Sequence, residues 1–173
     1  MSPVGLGKLL AGLPRNVDPN LLVGYETSDD AAVYKIDADK ALITTADIIT
    51  PPVDDPYVFG QIAAANSMSD VYAMGGRPLT SLNLIGFPTK ELGPEVLEGL
   101  VEGALSKITE AGAVLAGGHT TEDEEPKFGL AVTGLVSKGN MKRNDTATVG
   151  CKLYLTKPLG IGILTTAEKK AKL

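Results

Sequence analysis

Residues 66–76 read NSMSDVYAMGG and form the end of a predicted helix that begins near Tyr57. Asn66 and Asp70 are four positions apart, so they lie together on one face of that helix. Gly75 and Gly76 then stop it, since glycine ends helical patterns. Apolar residues at three- and four-residue spacing predict a separate packing face, made of Val58, Ile62, Ala65, Met68 and Tyr72.

The segments around this helix predict a mixed α+β layer. Short apolar and β-branched runs predict six strands, at residues 31–36, 41–46, 79–87, 113–116, 128–136 and 152–156. A second helix with a continuous apolar stripe begins at Pro94 and is closed by Gly112, and a third begins near Thr166. This order favours a mixed β-sheet with helices packed on one face.

Composition and charge exclude several classes of function. The 173-residue chain has a net charge of −5, which argues against a bulk electrostatic grip on nucleic acid. Cys151 is the single cysteine, so an internal disulfide is impossible, and at the start of an apolar strand it is expected to be buried and inert. No apolar run approaches the roughly 20 residues that span a bilayer, and the start, MSPVG, lacks a signal-peptide pattern. We expect a cytoplasmic protein without a membrane partner.

Four aspartates stand close to the first strands and the first helix. Asp29 and Asp30 immediately precede the first strand, Asp47 ends the second, and Asp70 lies on the helix. If they converge at one sheet edge, they supply the oxygen ligands that Mg²⁺ takes together with phosphates and water. The alternative is that Asp29 caps a turn and the others are solvated, since spacing alone does not bring them together.

A glycine pair follows an apolar strand in the sequence AGGHT, residues 116–120. Glycine lets backbone amides approach a phosphate closely, and Thr120 adds a hydroxyl. A simple turn is the alternative, because the pattern is neither a P-loop nor a dinucleotide-binding fingerprint. His119 is the sole histidine, and packing or nucleotide contact is favoured over general-base chemistry because sequence assigns it no partner.

Seven stretches, in order along the chain, resemble the selenophosphate synthetase family. They are VDPNLLVG at 17–24, DDAAV at 29–33, PVDDPY at 52–57, NSMSDVYAMGG at 66–76, AGGH at 116–119, FGLAVTG at 128–134 and LTKPLGIG at 155–162. Each stretch is weak alone, but together they are specific and reach from residue 17 almost to the end of the chain.

The resemblance implies an ATP-binding fold shared with aminoimidazole ribonucleotide synthetase and thiamine monophosphate kinase, in which this half pairs with its copy as a homodimer. Members of the family convert selenide, ATP and water into selenophosphate, AMP and orthophosphate, and they use Mg²⁺. Carried over by motif, Asp30 and Asp70 would bind the metal, and Asp47 would join the metal–ATP cluster. The implied nucleotide contacts, some of them across the dimer, are Thr27, Ser28, Asp29, Gly118, His119 and Thr120.

The resemblance also implies missing parts. The family's reactive cysteine or selenocysteine and its lysine lie ahead of the start of this chain, so no catalytic residue is assigned within it. Cys151 matches a different family segment. We expect a partial N-terminal segment at 1–16, an ATP- and magnesium-binding domain at 17–157 and the start of a second domain at 158–173. The chain alone is expected to have little or no synthetase activity.

Two alternatives stay open at this point. One is a thiamine monophosphate kinase-like enzyme, although the AGGH and TKPLG stretches fit that family less well. The other is a dimerising nucleotide-binding module without chemistry of its own.

Overall fold

A computed structural model describes residues 3–13 and 17–170 of the chain. Parts of the expected first and last segments, at 1–2, 14–16 and 171–173, lie outside the described residues. In chain order, the elements are α1 (Pro3–Ala11), β1 (Leu21–Val23), β2 (Ala32–Lys35), β3 (Lys40–Ile49), α2 (Pro56–Ala73), β4 (Arg77–Phe87), α3 (Pro94–Glu110), β5 (Val114–Glu122), β6 (Lys127–Ser137), a 3-10 turn (Lys138–Asn140) and α4 (Ile161–Lys169).

The six strands form one mixed sheet in the order β1-β2-β3-β6-β4-β5. Every neighbouring pair is antiparallel except β4 and β5, which are parallel and are joined through α3. A parallel pair needs such a crossover, whereas antiparallel strands can be joined by short turns. The predicted α+β class with a mixed sheet is therefore confirmed.

The hydrophobic core lies between the helices and one face of the sheet. Alternate residues of β3 and β6, such as Ile43, Phe128 and Leu130, are fully buried there. On the opposite face, Ile48 and Leu82 keep 47% and 45% of their surface exposed. The prediction that the helices pack on one face of the sheet is thus confirmed. Within residues 3–13 and 17–170, no helix combines the length and apolarity needed to cross a bilayer.

Glycines bring α2 and α3 unusually close together. A Cβ atom at Gly60 would lie 2.0 Å from the carbonyl oxygen of Leu100, and one at Gly103 would lie 1.9 Å from that of Tyr57. Any larger residue at either position would collide with the backbone of the other helix. This close contact fixes the face that α2 turns toward the sheet, and so the placement of Asn66 and Asp70.

The buried face of α2 differs from the predicted one. Of the predicted stripe only Met68 is buried, whereas Val58, Ile62, Ala65 and Tyr72 are exposed. The residues that are buried are Phe59, Gly60, Ala63, Ala64, Ser67, Met68 and Val71. Most of them are small, because the sheet and α3 both approach the helix closely. The apolar stripe predicted from spacing is therefore wrong.

Several strand predictions also need correction. Residues 152–156, expected as a strand, are exposed and belong to no strand, and α4 begins at Ile161 rather than near Thr166. β5 runs through Gly117 and Gly118, so the glycine pair lies inside a strand and not in a turn after it. β3 likewise continues past Asp47 to Ile49. Three short elements, α1, β1 and the 3-10 turn, were not predicted.

Candidate functional site

Asp47 on β3 is held by groups from α2 and from its own strand. The side-chain amide of Asn66 donates to Oδ2 of Asp47, and the backbone N–H of Ile48 donates to Oδ1 over 3.1 Å. Both oxygens of this carboxylate thus accept hydrogen bonds from the protein. The orientation of Asp47 is therefore fixed before any ligand binds.

Asp70 lies one helical turn beyond Asn66 and also faces β3. Its Oδ2 accepts a 2.6 Å hydrogen bond from the hydroxyl of Thr45. Partial burial raises the pKa of Asp70; the Thr45 hydrogen bond opposes this, and the negative charges of Asp47 and Asp30 raise the pKa further. The structure thus places Asp70 within electrostatic range of both Asp30 and Asp47.

The three aspartates do not form a closed cation site. Among residues 3–13 and 17–170, no group of three acidic, histidine or cysteine side chains is arranged to coordinate one ion. The donor set nevertheless suits Mg²⁺, because it consists of carboxylate oxygens and the negative charges of Asp47 and Asp30 both act on Asp70. Metal binding by these residues stays a prediction that the donor chemistry supports.

The segment from Thr27 to Asp29 forms an exposed loop directly ahead of Asp30. Ser28 has a φ of 53°, in the left-handed region, and the hydroxyl of Thr27 donates to Oδ2 of Asp29. Asn144, far along the chain, donates to Oδ1 of Asp29 over 2.6 Å and to the carbonyl oxygen of Ser28 over 2.9 Å. The loop therefore has a defined conformation that depends on distant contacts.

Gly118, His119 and Thr120 lie on the exposed edge strand β5, away from the aspartates. Asp47 on β3 is paired with Leu130 on β6, and Leu130 is paired with Asn83 on β4. Asn83 is in turn paired with Gly118 on β5, so Asp47 and Gly118 lie in one row across the sheet. Three strand spacings separate them, about 14 Å. Within one chain, the structure does not bring the two groups of predicted site residues together.

Sequence reasoning missed two buried or half-buried partners of Asp47 and Asp70. One is Thr45. The other is Ser67, whose hydroxyl donates to the carbonyl oxygen of Ala63 over 3.0 Å, accepts the Leu130 N–H over 3.1 Å and lies 3.4 Å from the carbonyl oxygen of Asp47. The signal available in the sequence was a small polar residue between Asn66 and Met68, in the same helix as Asp70.

Cys151 does not have the predicted environment. It is exposed, lies outside any strand, and its Sγ accepts a hydrogen bond from the backbone N–H of Thr148 over 3.4 Å. Hydrogen bonds from the Thr148 side chain and backbone lower the pKa of the thiol. The prediction of a buried thiol is wrong, because the segment has no strand partner to cover it.

Comparison with known proteins gives a consistent result. Residues 28–136 match the family model described as AIR synthase related protein, N-terminal domain. A selenide, water dikinase from Bordetella bronchiseptica is 55% identical over 174 residues, which cover 100% of this chain and 51% of that protein. Another from Pseudomonas putida is 58% identical over 157 residues, covering 91% of this chain and 46% of that protein. The chain spans about half the length of the curated relatives it matches.

A similar fold occurs in the solved structure of AaThiL complexed with AMPPCP and TMP. The TM-score is 0.71 at 20% identity, and the match covers 84% of this chain and 45% of that chain. At this identity the likeness shows a shared fold alone, so it does not favour the thiamine monophosphate kinase alternative. The resemblance drawn from the seven sequence stretches is confirmed by the sequence matches.

Proposed function

Because the chain belongs to the AIR synthase related protein N-terminal domain family, we propose that it is the ATP- and magnesium-binding half of a selenide, water dikinase. The observation that carries the proposal is the 55% identity of the whole chain to about half of a protein with that name. The whole protein would convert selenide, ATP and water into selenophosphate, AMP and orthophosphate. This half would supply nucleotide and metal binding and would have little or no turnover on its own. The protein would act in the cytoplasm, where ATP is available.

The aspartate cluster supports a role in cation binding. Asp70 is partly buried and faces the negative charges of Asp30 and Asp47, an arrangement that a divalent cation would stabilise. We assign Asp30 and Asp70 as ligands, and Asp47 as a neighbour whose carboxylate is already oriented by Asn66 and Ile48. Bound Mg²⁺ would neutralise charge on the phosphates of ATP during phosphoryl transfer.

The loop ahead of Asp30 supports the assignment of a nucleotide site beside the cation. The loop leads directly into Asp30, the proposed cation ligand. Its residues Thr27, Ser28 and Asp29 are exposed or half-buried. Their conformation is held by Asn144, so the loop does not have to be ordered by the ligand itself. A preorganised loop costs less entropy when it binds, which favours affinity.

We also propose that the protein forms a homodimer through β5. This strand lies at the edge of the sheet, and its residues from 116 to 122 are exposed. Long exposed edge strands pair readily with another chain. In such a dimer, Gly118, His119 and Thr120 would lie at the subunit interface, where we expect them to contact a nucleotide. Sedimentation velocity should find a dimer, whereas a monomer at micromolar concentration would contradict this part of the proposal.

Calorimetry with the non-hydrolysable analogue AMPPCP tests the binding function. Binding should require Mg²⁺, disappear in EDTA and weaken at least about tenfold in Asp70→Asn, because a ligand carboxylate is lost. Asp39→Asn, which changes an exposed carboxylate in the turn between β2 and β3, is the matched control and should bind normally. Equal binding with and without Mg²⁺ would contradict the proposed site.

Phosphorus NMR tests the reaction. With ATP, Mg²⁺ and selenide under anaerobic conditions, a longer form of the protein that includes its remaining half should produce selenophosphate, AMP and orthophosphate. The chain alone should give no selenophosphate at a catalytic rate. Turnover by the chain alone would overturn the proposed division between the halves, and thiamine monophosphate-dependent ATP cleavage in the longer form would overturn the dikinase assignment.

A further inference from the structure

Asn144 joins two parts of the chain that are distant in sequence. Its backbone N–H donates to Oδ1 of Asp29 over 2.6 Å, and its side-chain Nδ2 donates to the carbonyl oxygen of Ser28 over 2.9 Å. These contacts span 115 and 116 positions of sequence. The backbone carbonyl of Ser28 can only accept a hydrogen bond, so the side-chain amide of Asn144 must turn its nitrogen, and not its oxygen, toward Ser28. One asparagine therefore holds two consecutive loop residues.

Ser28 is the loop residue that most needs such support. In residues 3–13 and 17–170, it is the only non-glycine residue with a positive φ, at 53°. This left-handed conformation has a steric cost for any residue that carries a Cβ atom. It persists only where surrounding contacts favour it. The hydrogen bond from the Asn144 side chain to the Ser28 carbonyl is such a contact.

Asp29 takes part in the same arrangement. One of its carboxylate oxygens accepts from the Asn144 backbone, and the other accepts from the hydroxyl of Thr27. The carboxylate thus links the two sides of the loop through hydrogen bonds to a charged group, which are stronger than neutral ones. The direction in which the chain enters Asp30 follows from these bonds.

The turn that carries Asn144 is itself held by local contacts. Arg143 forms a 2.5 Å ion pair with Asp145, and the hydroxyl of Thr146 donates to the carbonyl oxygen of Arg143 over 2.9 Å. These bonds lie on both sides of Asn144. Asn144 is therefore presented to the loop from a turn with a defined shape.

We propose that Asn144 is a positioning residue, which holds the Thr27–Asp29 loop in the conformation that binds nucleotide. This inference rests on the proposed function, because it requires a nucleotide to bind at that loop. Asn144 needs no contact with the nucleotide. Its effect passes through the φ of Ser28 and the carboxylate of Asp29 to the position of Asp30.

The first test is Asn144→Ala, measured by calorimetry with AMPPCP and Mg²⁺. The variant loses the bond to Ser28 but keeps the backbone bond to Asp29, so affinity should fall about fivefold. Because Asn144 is exposed, the melting temperature should stay close to that of the unaltered chain. Asn140→Ala, an exposed asparagine in the preceding 3-10 turn, is the matched control and should bind normally.

A glycine at position 28 distinguishes positioning from a general structural defect. Glycine adopts positive φ without steric cost, so Ser28→Gly removes the need for part of the support from Asn144. In the Ser28→Gly background, Asn144→Ala should therefore weaken AMPPCP binding less than about twofold, and the two changes should be non-additive. Equal losses in both backgrounds would contradict the proposed route through Ser28.

Hydrogen exchange gives a readout that needs no ligand. The backbone amides of residues 28–30 should exchange faster in Asn144→Ala than in the unaltered chain, while those of Asn140→Ala should not change. Unchanged exchange and unchanged AMPPCP affinity in Asn144→Ala would overturn this inference and leave the proposed function intact. Failure of the unaltered chain to bind AMPPCP would instead remove the proposed function, and the positioning role with it.

Discussion

The hydroxyl of Thr45 donates a 2.6 Å hydrogen bond to Oδ2 of Asp70, and this bond ties β3 to the last turn of α2. Thr45 precedes Asp47 by two positions, so both side chains point to the helical face of the sheet. The bond favours the charged form of Asp70, whereas partial burial and the charges of Asp47 and Asp30 disfavour it. Thr45 therefore supports the carboxylate that we assign as a cation ligand.

Replacing Thr45 by valine should weaken Mg²⁺-dependent AMPPCP binding. Valine has nearly the same shape but cannot donate to Asp70, so the carboxylate loses both its orientation and part of its support in the charged form. We expect about a tenfold loss in affinity by calorimetry, the size typical of a hydrogen bond to a charged group. Thr44→Val, on the exposed face of the same strand, is the matched control. Normal binding by Thr45→Val would show that this bond does not support the site.

Asp70→Asn should stabilise the metal-free chain at neutral pH. A carboxyl whose folded-state pKa is raised contributes stability below its unfolded pKa, and that contribution is lost as the pH rises through the folded pKa. At pH 7 the charged Asp70 therefore opposes folding, and a neutral asparagine removes this effect. The advantage of the variant should narrow as the pH falls through the raised folded-state pKa of Asp70 and toward the unfolded value of about 3.9.

Urea unfolding in EDTA between pH 4 and pH 8 checks this prediction for Asp70→Asn. The variant should be more stable at pH 7 but should bind AMPPCP more weakly. This combination is expected where a residue needed for binding destabilises the folded chain. Lower stability than the unaltered chain at pH 7 would contradict the direction of the pKa shift at Asp70.

Ser67→Ala should destabilise the chain by about 1–3 kcal/mol. The change removes the Ser67 hydroxyl, which accepts a 3.1 Å hydrogen bond from the buried Leu130 N–H and also lies near the carbonyl oxygen of Asp47. Urea unfolding would measure the loss. Ser69→Ala, which removes an exposed hydroxyl on the same helix, should change stability by less than about 0.5 kcal/mol. Similar stabilities for the two variants would contradict the role of Ser67 as the acceptor for the Leu130 N–H.

Gly103→Ala and Gly99→Ala should have opposite effects on stability. A Cβ at position 103 would lie 1.9 Å from the carbonyl oxygen of Tyr57, so α2 and α3 must separate, at a cost of about 1–3 kcal/mol. At position 99 the nearest atom is 3.5 Å away, so alanine should stabilise α3 by up to about 1 kcal/mol through its higher helix propensity. Thermal unfolding of both variants checks the pair, and equal effects would contradict the close approach at Gly103.

Local patterns predicted most of the elements, but not the face that α2 buries. Val58, Ile62 and Tyr72 are apolar and correctly spaced, yet they are exposed. The close approach of α3 and the sheet favours small side chains such as Ala63 and Ala64 over much of the buried face. This steric demand cannot be read from the spacing of apolar residues. The strand expected at 152–156 did not form because an apolar run needs a neighbouring strand for its backbone hydrogen bonds.

The sequence by itself determined the set of carboxylates and the relationships that repeat within one element. Asn66 and Asp70 share a helix face because a helix turns once in about 3.6 residues, and the structure confirms that both face β3. Only the tertiary structure decided that Asp47 meets Asn66, that Asp70 meets Thr45 and that Asn144 holds Ser28. These contacts join residues far apart in the chain, and they depend on strand register, the α2–α3 distance and the path of a loop. The register, the distance and the loop path are set by packing of the whole fold, and a local sequence pattern does not determine them.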